Sequence, residues 1–228
     1  MSDFEMVALD MAGTTVTDDG AVERAFEAAI EAVGPPVPPP ENLHHPARDA
    51  FGYVRRTMGV SKIEVFTGLY GDPAKAEAAN LAFEAAYQRS VVQGGIAPIA
   101  GAAEAVAACR AGGIRVCLTT GFSAATRDAI IECLGWEQLA DLALSPADAG
   151  RGRPWPDMIL MAVIRLGIGD VRSVAVAGDT ASDLWAGSRA GAGIVAGVLT
   201  GAHGRAELEA APHTHILESV RNLPVLVL

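Results

Sequence analysis

Cysteine is scarce in this chain: Cys109, Cys117 and Cys133 are the only three among 228 residues. They are odd in number and show no Cys-x-x-Cys spacing. They therefore read as small buried hydrophobes in a reducing compartment, not as a disulfide framework or a zinc site. Long apolar runs are missing too. Half of the residues are hydrophobic, yet no run approaches the ~20 apolar residues that a membrane span needs. The opening Met1-Ser2-Asp3-Phe4-Glu5 is acidic and lacks the basic-then-apolar pattern of a signal peptide. Positive charge is in deficit, with 17 Lys and Arg against 27 Asp and Glu, a formal charge of −10. That argues against nucleic acid and anionic membrane as partners. No internal repeat is visible. The expectation is a soluble cytoplasmic protein with one core, or a core plus a smaller insert.

What is present is organised around Met6-Val7-Ala8-Leu9-Asp10-Met11-Ala12-Gly13-Thr14-Thr15. A short apolar run that meets turn residues reads as a strand buried on both faces, parallel in an α/β sheet. Asp10 then sits at the strand's carboxyl end, where such sheets bind ligands. Gly13 allows close backbone approach to an anion, and Thr14 and Thr15 add hydroxyl donors. The plain alternative is an aspartate that N-caps an ordinary helix.

After Thr15 the pattern turns helical for about 75 residues. The apolar stripe predicts a helix over Ala21 to Val33, stopped by the stiff Gly34 to Pro40 run. Helices are expected over Glu41 to Thr57 and Lys62 to Tyr70, broken at Met58-Gly59-Val60-Ser61. A long one follows over Pro73 to Val92. From Pro98 onward helix and strand alternate, with strands near 114–118, 142–144, 173–177 and 194–198. Such alternation implies right-handed βαβ units and a parallel sheet covered on both sides. The expected architecture is an α/β Rossmann-like core over 1–16 and 95–228, with residues 17–94 inserted as a helical cap.

Three later segments carry chemistry. Val116-Cys117-Leu118-Thr119-Thr120-Gly121 repeats the design of a buried strand that delivers hydroxyls and a glycine, although Thr-Gly is also a plain turn. Gly152-Arg153-Pro154-Trp155-Pro156 places a cation before a Pro-x-Pro that opens a helix, or else a mere surface arginine. Ser173 to Asp183 runs as a buried strand into Gly178-Asp179, with Asp183 one helical turn on. Two acids so spaced repel unless a cation lies between them, so a magnesium site is the economical reading.

Asp10, Thr119, Arg153 and the Asp179/Asp183 pair, in this order over nearly the whole chain, resemble the haloacid dehalogenase superfamily. The resemblance implies a Rossmann-like hydrolase fold and Asp10 as the nucleophile that forms an aspartyl intermediate. It implies Thr119 as a phosphoryl ligand, Arg153 (usually lysine) as charge stabiliser, and magnesium held by Asp10, the Ala12 carbonyl, Asp179 and Asp183. Most phosphatase members carry a second acid where this chain has Ala12. Asp-x-Ala-Gly-Thr-Thr is instead similar to phosphonoacetaldehyde hydrolases, which cleave a P–C bond after a cap lysine condenses with the aldehyde. Met58-Gly59-Val60-Ser61-Lys62-Ile63 is similar to their cap motif, which implies Lys62 as the imine former and Met58 as a substrate contact. Thr14, Thr119, Thr120 and Gly121 complete the implied substrate set.

The chain departs from that pattern at Val65, where the family has histidine, at Phe122, where it has tyrosine, and at Ala21, where it has cysteine. Lys62 keeps three readings: imine former, clamp for a distal anion, or exposed helix-start lysine. His44 and His45 are read as a solvated helix start that could stand in for the missing histidine, and His203, His213 and His215 as surface residues. The expected activity is magnesium-dependent cleavage of a small phosphonate aldehyde. A phosphatase or phosphomutase with Lys62 as clamp is the alternative, and a catalytically retired binding protein is the reading from another class. The expected partner is a small phosphonate or phosphate, with no nucleic acid and no membrane; a homodimer is left open.

Overall fold

The computed structural model describes residues 3–17, 19–38 and 44–228. Six parallel strands form one sheet: β1 (Met6–Asp10), β2 (Arg115–Thr119), β3 (Leu142–Leu144), β4 (Val174–Gly178), β5 (Ile194–Val198) and β6 (His215–Leu217). Their order is β3-β2-β1-β4-β5-β6. The chain thus starts in the middle, winds out through β2 and β3, and returns to β4 on the other side of β1. This is the doubly wound Rossmann order, whose switch point lies between β1 and β4. Asp10 pairs in register with Thr119, and Leu9 with Ala177. The carboxyl ends of β1, β2 and β4 are therefore level.

Alternation along β1 explains why the run is apolar on both faces. Val7 and Leu9 belong to one core cluster, which includes Val106 of helix α5 (Ala102–Ala111). Met6 and Ala8 point to the other, against Met158, Ile159 and Ala162. Those three sit on helix α8 (Asp157–Leu166), which follows α6 (Ala124–Leu134) and the single turn α7 (Pro146–Ala149). Helix α9 (Ala181–Ala190) packs on β4 and β5, and α10 (Arg205–Glu209) and α11 (Pro224–Val227) close the chain.

Between β1 and α5 lie α1 (Ala21–Val33), α2 (Ala50–Arg56), α3 (Lys62–Tyr70) and α4 (Pro73–Val92). Their interior is aromatic: Phe26 lies 4.7 Å from Phe83 and 5.0 Å from Phe66, centroid to centroid. Each such ring, fully buried, contributes about 1.5–3 kcal/mol. The two chain crossings that flank these helices bind each other. Thr17 N–H donates to the Ala97 carbonyl (2.7 Å), and Ala97 N–H to Thr17 Oγ1 (3.0 Å).

Most sequence-predicted elements form with the expected bounds. The helix expected from Glu41 does not run unbroken to Thr57. Residues 41–43 lie outside the described residues, as do Pro39 and Pro40 of the proline run. Pro46, which lacks an N–H, opens a 3-10 turn over Pro46–Asp49, and Asp49 then caps α2 by accepting from Gly52 N–H (3.0 Å). β6 was not expected; it is a three-residue, half-buried edge strand with no clear apolar pattern. Among the described residues, no helix is long and apolar enough to cross a membrane.

Candidate active site

Asp10 ends β1 beside a tight turn. Met11 O accepts from the N–H groups of Thr14 (3.2 Å), Thr15 (2.8 Å) and Val16 (2.8 Å). Gly13 holds φ +89° there, and a Cβ on it would stand 2.4 Å from Asp179 Oδ2. Only glycine satisfies both the conformation and the approach. Thr14 is fully buried, and its hydroxyl donates to Asp179 Oδ1 (3.1 Å). It thus fixes an acid instead of facing the cavity.

Arg153 arrives from the loop between α7 and α8. Its Nη1 donates to Asp10 Oδ1 (2.5 Å) and also to Asp183 Oδ1. All three side chains are buried. Burial alone would lower the guanidinium, but the two carboxylates more than reverse that and hold it above its ordinary value. Burial raises the Asp10 carboxyl well above the usual range; Arg153 pulls it back, and the charges of Asp183 and Asp179 push it further up. Burial and the charge of Asp183 raise Asp179 likewise. Three buried acids thus face one buried arginine.

The i, i+4 spacing of Asp179 and Asp183 puts both at the start of α9, but only Asp183 lies within the helix. Asp179 lies before the N-cap Thr180, and its Oδ2 accepts from Ala202 N–H (2.7 Å). Asp183 is inside α9, and its Oδ2 accepts from Thr180 N–H (3.1 Å) and Thr180 Oγ1 (2.5 Å). Each acid is therefore held by its own donors. Among the described residues, no three carboxylates, imidazoles or thiols form a ready-made metal cage. The donor chemistry nevertheless suits a hard divalent cation. Asp10, Asp179 and Asp183 offer only oxygens, as does the Ala12 carbonyl, and one arginine leaves two negative charges unmatched.

Above these groups is a cavity of about 280 Å³. Asp10, Ala12, Arg153, Asp179, Thr120, Gly121, Met58 and Lys62 all line it. Lys62, the first residue of α3, is only 6% exposed. Its Nζ lies 5.3, 5.8 and 5.9 Å from the ring centres of Phe122, Phe26 and Phe83. The reading of an exposed helix-start lysine is therefore corrected: the aromatic interior encloses its ammonium. The Met58–Ser61 break docks this edge onto α9. Ser182 Oγ donates to Met58 O (3.2 Å), and a Cβ on Gly59 (φ +81°) would stand 2.3 Å from Thr180 Oγ1.

Not every expected residue reaches the cavity. Thr119 borders a small void with Arg153 and Trp155 instead, and its neighbour Thr120 lines the cavity. Adjacent residues leaving a strand point to opposite sides, which sequence alone could not orient. Asp183 also lies behind Arg153, outside the cavity lining. His44 and His45 stay away from it; His45 caps the 3-10 turn by accepting from Ala47 N–H (3.2 Å). His203 is not a surface residue. It is 7% exposed, its Nδ1 accepts from Ala181 N–H (3.0 Å), and its Nε2 meets Arg55 O (3.4 Å).

Sequence reasoning missed Thr17, Asp19, Thr180, Thr200, Gly201 and Ala202, which also line the cavity. Thr200-Gly201 had a legible signal, because it too follows a buried strand, β5. Thr200 Oγ1 donates to Gly13 O (2.7 Å), tying the β5 loop to the turn after Asp10.

A family model described as a haloacid dehalogenase-like hydrolase matches residues 4–191. The chain is 27% identical over 220 residues to the "Probable phosphatase IndB" of Dickeya dadantii, covering 94% of this chain and 89% of that protein. It is 32% identical over 151 residues to a phosphonoacetaldehyde hydrolase of Bordetella pertussis, a match that covers 56% of this chain and 54% of that enzyme. The chain thus spans only about half of that relative's length. Among solved structures, a hydrolase from Pseudomonas syringae superposes with a TM-score of 0.82 at 22% identity, covering 97% of each chain. A phosphonoacetaldehyde hydrolase-like protein from Oleispira antarctica gives 0.79 at 22% identity, covering 98% of this chain and 91% of that one. These two likenesses concern the fold.

Proposed function

This chain belongs to the haloacid dehalogenase-like hydrolase family, and on that premise we propose that it is a magnesium-dependent phosphonatase-like hydrolase of a small phosphonate aldehyde such as phosphonoacetaldehyde. The carrying observation is Lys62, buried under three aromatic rings in the same cavity as Asp10. A lysine that forms an imine must react as the free amine, and Lys62 is set in the same cavity as the carboxylate that would attack phosphorus. In this reading residues 17–94 are the cap that brings Lys62 to the core.

The chemistry then runs between two ends of one cavity. The Lys62 amine adds to the aldehyde carbon, water leaves, and an iminium remains. An Asp10 oxygen bonds to phosphorus in line with the P–C bond, whose electron pair moves into the iminium. The products are an enamine on Lys62 and an aspartyl phosphate on Asp10. Water cleaves the aspartyl phosphate and restores Asp10. Protonation and hydrolysis of the enamine release acetaldehyde and restore Lys62. No alkoxide departs, so Ala12 costs this reaction nothing, whereas a phosphomonoester would lack its general acid.

Arg153 balances charge on the phosphoryl oxygens, and Thr120 with the Gly121 backbone orients them. Asp10, the Ala12 carbonyl, Asp179 and Asp183 would hold magnesium, which when bound supplies positive charge at the phosphoryl group. Phosphate release from phosphonoacetaldehyde, beside a panel of phosphomonoesters and with or without magnesium, tests the reading. Release from the phosphomonoesters alone overturns it.

One observation favours a second reading, a phosphatase or phosphomutase in which Lys62 clamps a distal anion. Val65 stands where the phosphonatases place a proton-shuttling histidine, and it is 1% exposed within the apolar core. The same panel separates the two.

A further inference from the structure

The segment Gly152 to Pro156 supplies Arg153, and it also carries a tryptophan, Trp155, two residues after that arginine. Arg153 has a demanding position. Its Nη1 must meet Asp10 and Asp183 together, and its Nε is buried without a hydrogen-bond partner. The guanidinium therefore depends on its backbone for aim, yet that backbone is a loop outside regular structure.

We infer that Trp155 is the positioning residue that fixes this loop and thereby aims Arg153 at the phosphoryl site. The inference rests on the reading that Arg153 faces the phosphoryl group. Two guanidinium groups lie over the Trp155 ring, Arg151 at 4.4 Å and Arg189 at 5.2 Å from its centre. Both have further partners. Arg151 forms a two-point pair with Asp157 (2.8 and 3.0 Å), and Arg189 donates to the Pro154 carbonyl (2.8 Å) and also lies over Trp185 at 5.2 Å. Trp155 N–H closes the turn on the Gly152 carbonyl (3.1 Å). The residues before, after and beside Arg153 are thus each tied to a stacked or hydrogen-bonded partner.

The inner side of the same tryptophan reaches the chemistry. Trp155 borders a void of about 10 Å³ together with Arg153, Asp183 and Thr119. The void is too small for a rearranged arginine, so while the indole stays, Arg153 cannot swing back on the side away from the cavity. Removing the indole opens that space and takes away the ring over which both arginines lie. Trp155 as a whole remains 42% exposed, as a residue recruited for core packing alone would not be.

The test compares Trp155→Ala, Trp155→Phe and Arg189→Lys with the wild type, on whichever phosphoryl substrate of the panel the wild type turns over best. Arg153 has the same task for P–C and P–O cleavage. A wild type active only on phosphomonoesters would overturn the phosphonatase reading and leave this experiment intact. Trp155→Ala should lose about 10²-fold in kcat, the scale of a misplaced catalytic group, with KM changed little. Trp155→Phe keeps a ring under the guanidinium groups and should recover most of that loss. Arg189→Lys, a surface change that leaves the fold in place, keeps the charge but loses the planar fork, and should fall between. A lowered melting temperature with unchanged kcat per folded molecule in Trp155→Ala would overturn the inference. So would an Arg189→Lys enzyme identical to wild type beside an impaired Trp155→Phe.

Discussion

The ammonium of Lys62 lies 5.3 Å from the ring centre of Phe122, and both residues line the cavity that Asp10 also lines. One of them begins α3 of the inserted helices; the other follows β2 of the sheet. Their contact means that the reacting ends of the site are contributed by segments on opposite sides of the crossing at Thr17 and Ala97. Chemistry that needs both ends is therefore sensitive to how the two segments meet. Chemistry that needs only Asp10 and its acids is not.

Asp10→Asn should abolish phosphate release from every substrate, since an amide cannot attack phosphorus. The fold should survive, because burial and the neighbouring acids already oppose the charge of Asp10. Phosphate release and a thermal melt, run on one preparation, check both halves. Turnover near the wild-type rate in a folded sample would remove Asp10 from the mechanism.

Magnesium should raise the melting temperature if, as proposed, it is held by three buried acids that one arginine leaves partly unmatched. At a hundredfold excess over Kd the linkage is about 2.7 kcal/mol, or about 5–10 °C for a chain of this size. Asp179→Ala should erase most of the shift. A melting temperature that ignores magnesium in the wild type would remove the proposed site, whatever the activity does.

The sheet and the acids were legible because buried parallel strands leave unbroken apolar runs, and the residue ending each run falls at the ligand edge. Asp10 and Asp179 follow from that alone. Thr119 and Thr120 could not be told apart, because which one faces the cavity depends on how the chain leaves β2. The β5 loop was missed for want of charge, although Thr200 and Ala202 N–H hold the Asp10 turn and Asp179. His203, bordered by Gly204 and Ala202, reads as solvated until Ala181 and Arg55 are folded against it. The enclosure of Lys62 was least legible of all, since Phe26, Phe83 and Phe122 come from three separate segments.

Introducing, by Val65→His, the histidine that phosphonoacetaldehyde hydrolases place here should not speed aldehyde cleavage. Val65 is 1% exposed, and it lines neither of the cavities that Lys62 borders. A polar ring there lacks partners and should cost about 1–3 kcal/mol, lowering the melting temperature by about 2–12 °C. A faster enzyme at unchanged stability would show that position 65 reaches the substrate after all.

Stability should carry a pH signature at Asp148. Burial alone would raise its carboxyl, but donors at Ser145 (N–H at 2.8 Å, Oγ at 2.7 Å) and Arg127 (2.6 Å) hold it below the ordinary range. A depressed folded pKa adds stability above the unfolded value, and that stability is lost as pH falls through the folded one. With the carboxylate 26% exposed, Asp148→Asn should cost about 1–2 kcal/mol at neutral pH. Denaturant melts should show the gap between mutant and wild type closing as the pH drops below the usual carboxylate range. A gap of constant size down to strongly acid pH would assign the loss to shape instead of charge.

Lys62→Arg divides the two functional readings. A guanidinium keeps the positive charge and stacks well on aromatic rings, so Phe26, Phe83 and Phe122 can still hold it, but it stays protonated and forms no imine. If Lys62 only clamps a distal anion, the variant should keep much of its kcat and change chiefly in KM. If Lys62 is the electron sink, kcat for phosphonoacetaldehyde should fall by several orders of magnitude, because the bare aldehyde carbonyl is a much poorer acceptor of the departing electron pair than an iminium. Borohydride added during turnover should fix the two-carbon fragment to the wild type and leave the variant unlabelled, with mass spectrometry of the peptide that contains Lys62 as the readout. Asp10 supplies the internal control. Asp10→Asn cannot break the P–C bond, yet its Lys62 is intact, so borohydride should trap the whole phosphonate on it. Trapping in Asp10→Asn with none in Lys62→Arg would place imine formation before P–C cleavage and on this lysine. A wild type that consumes the aldehyde but is never labelled, beside an active Lys62→Arg, would leave Lys62 as a clamp.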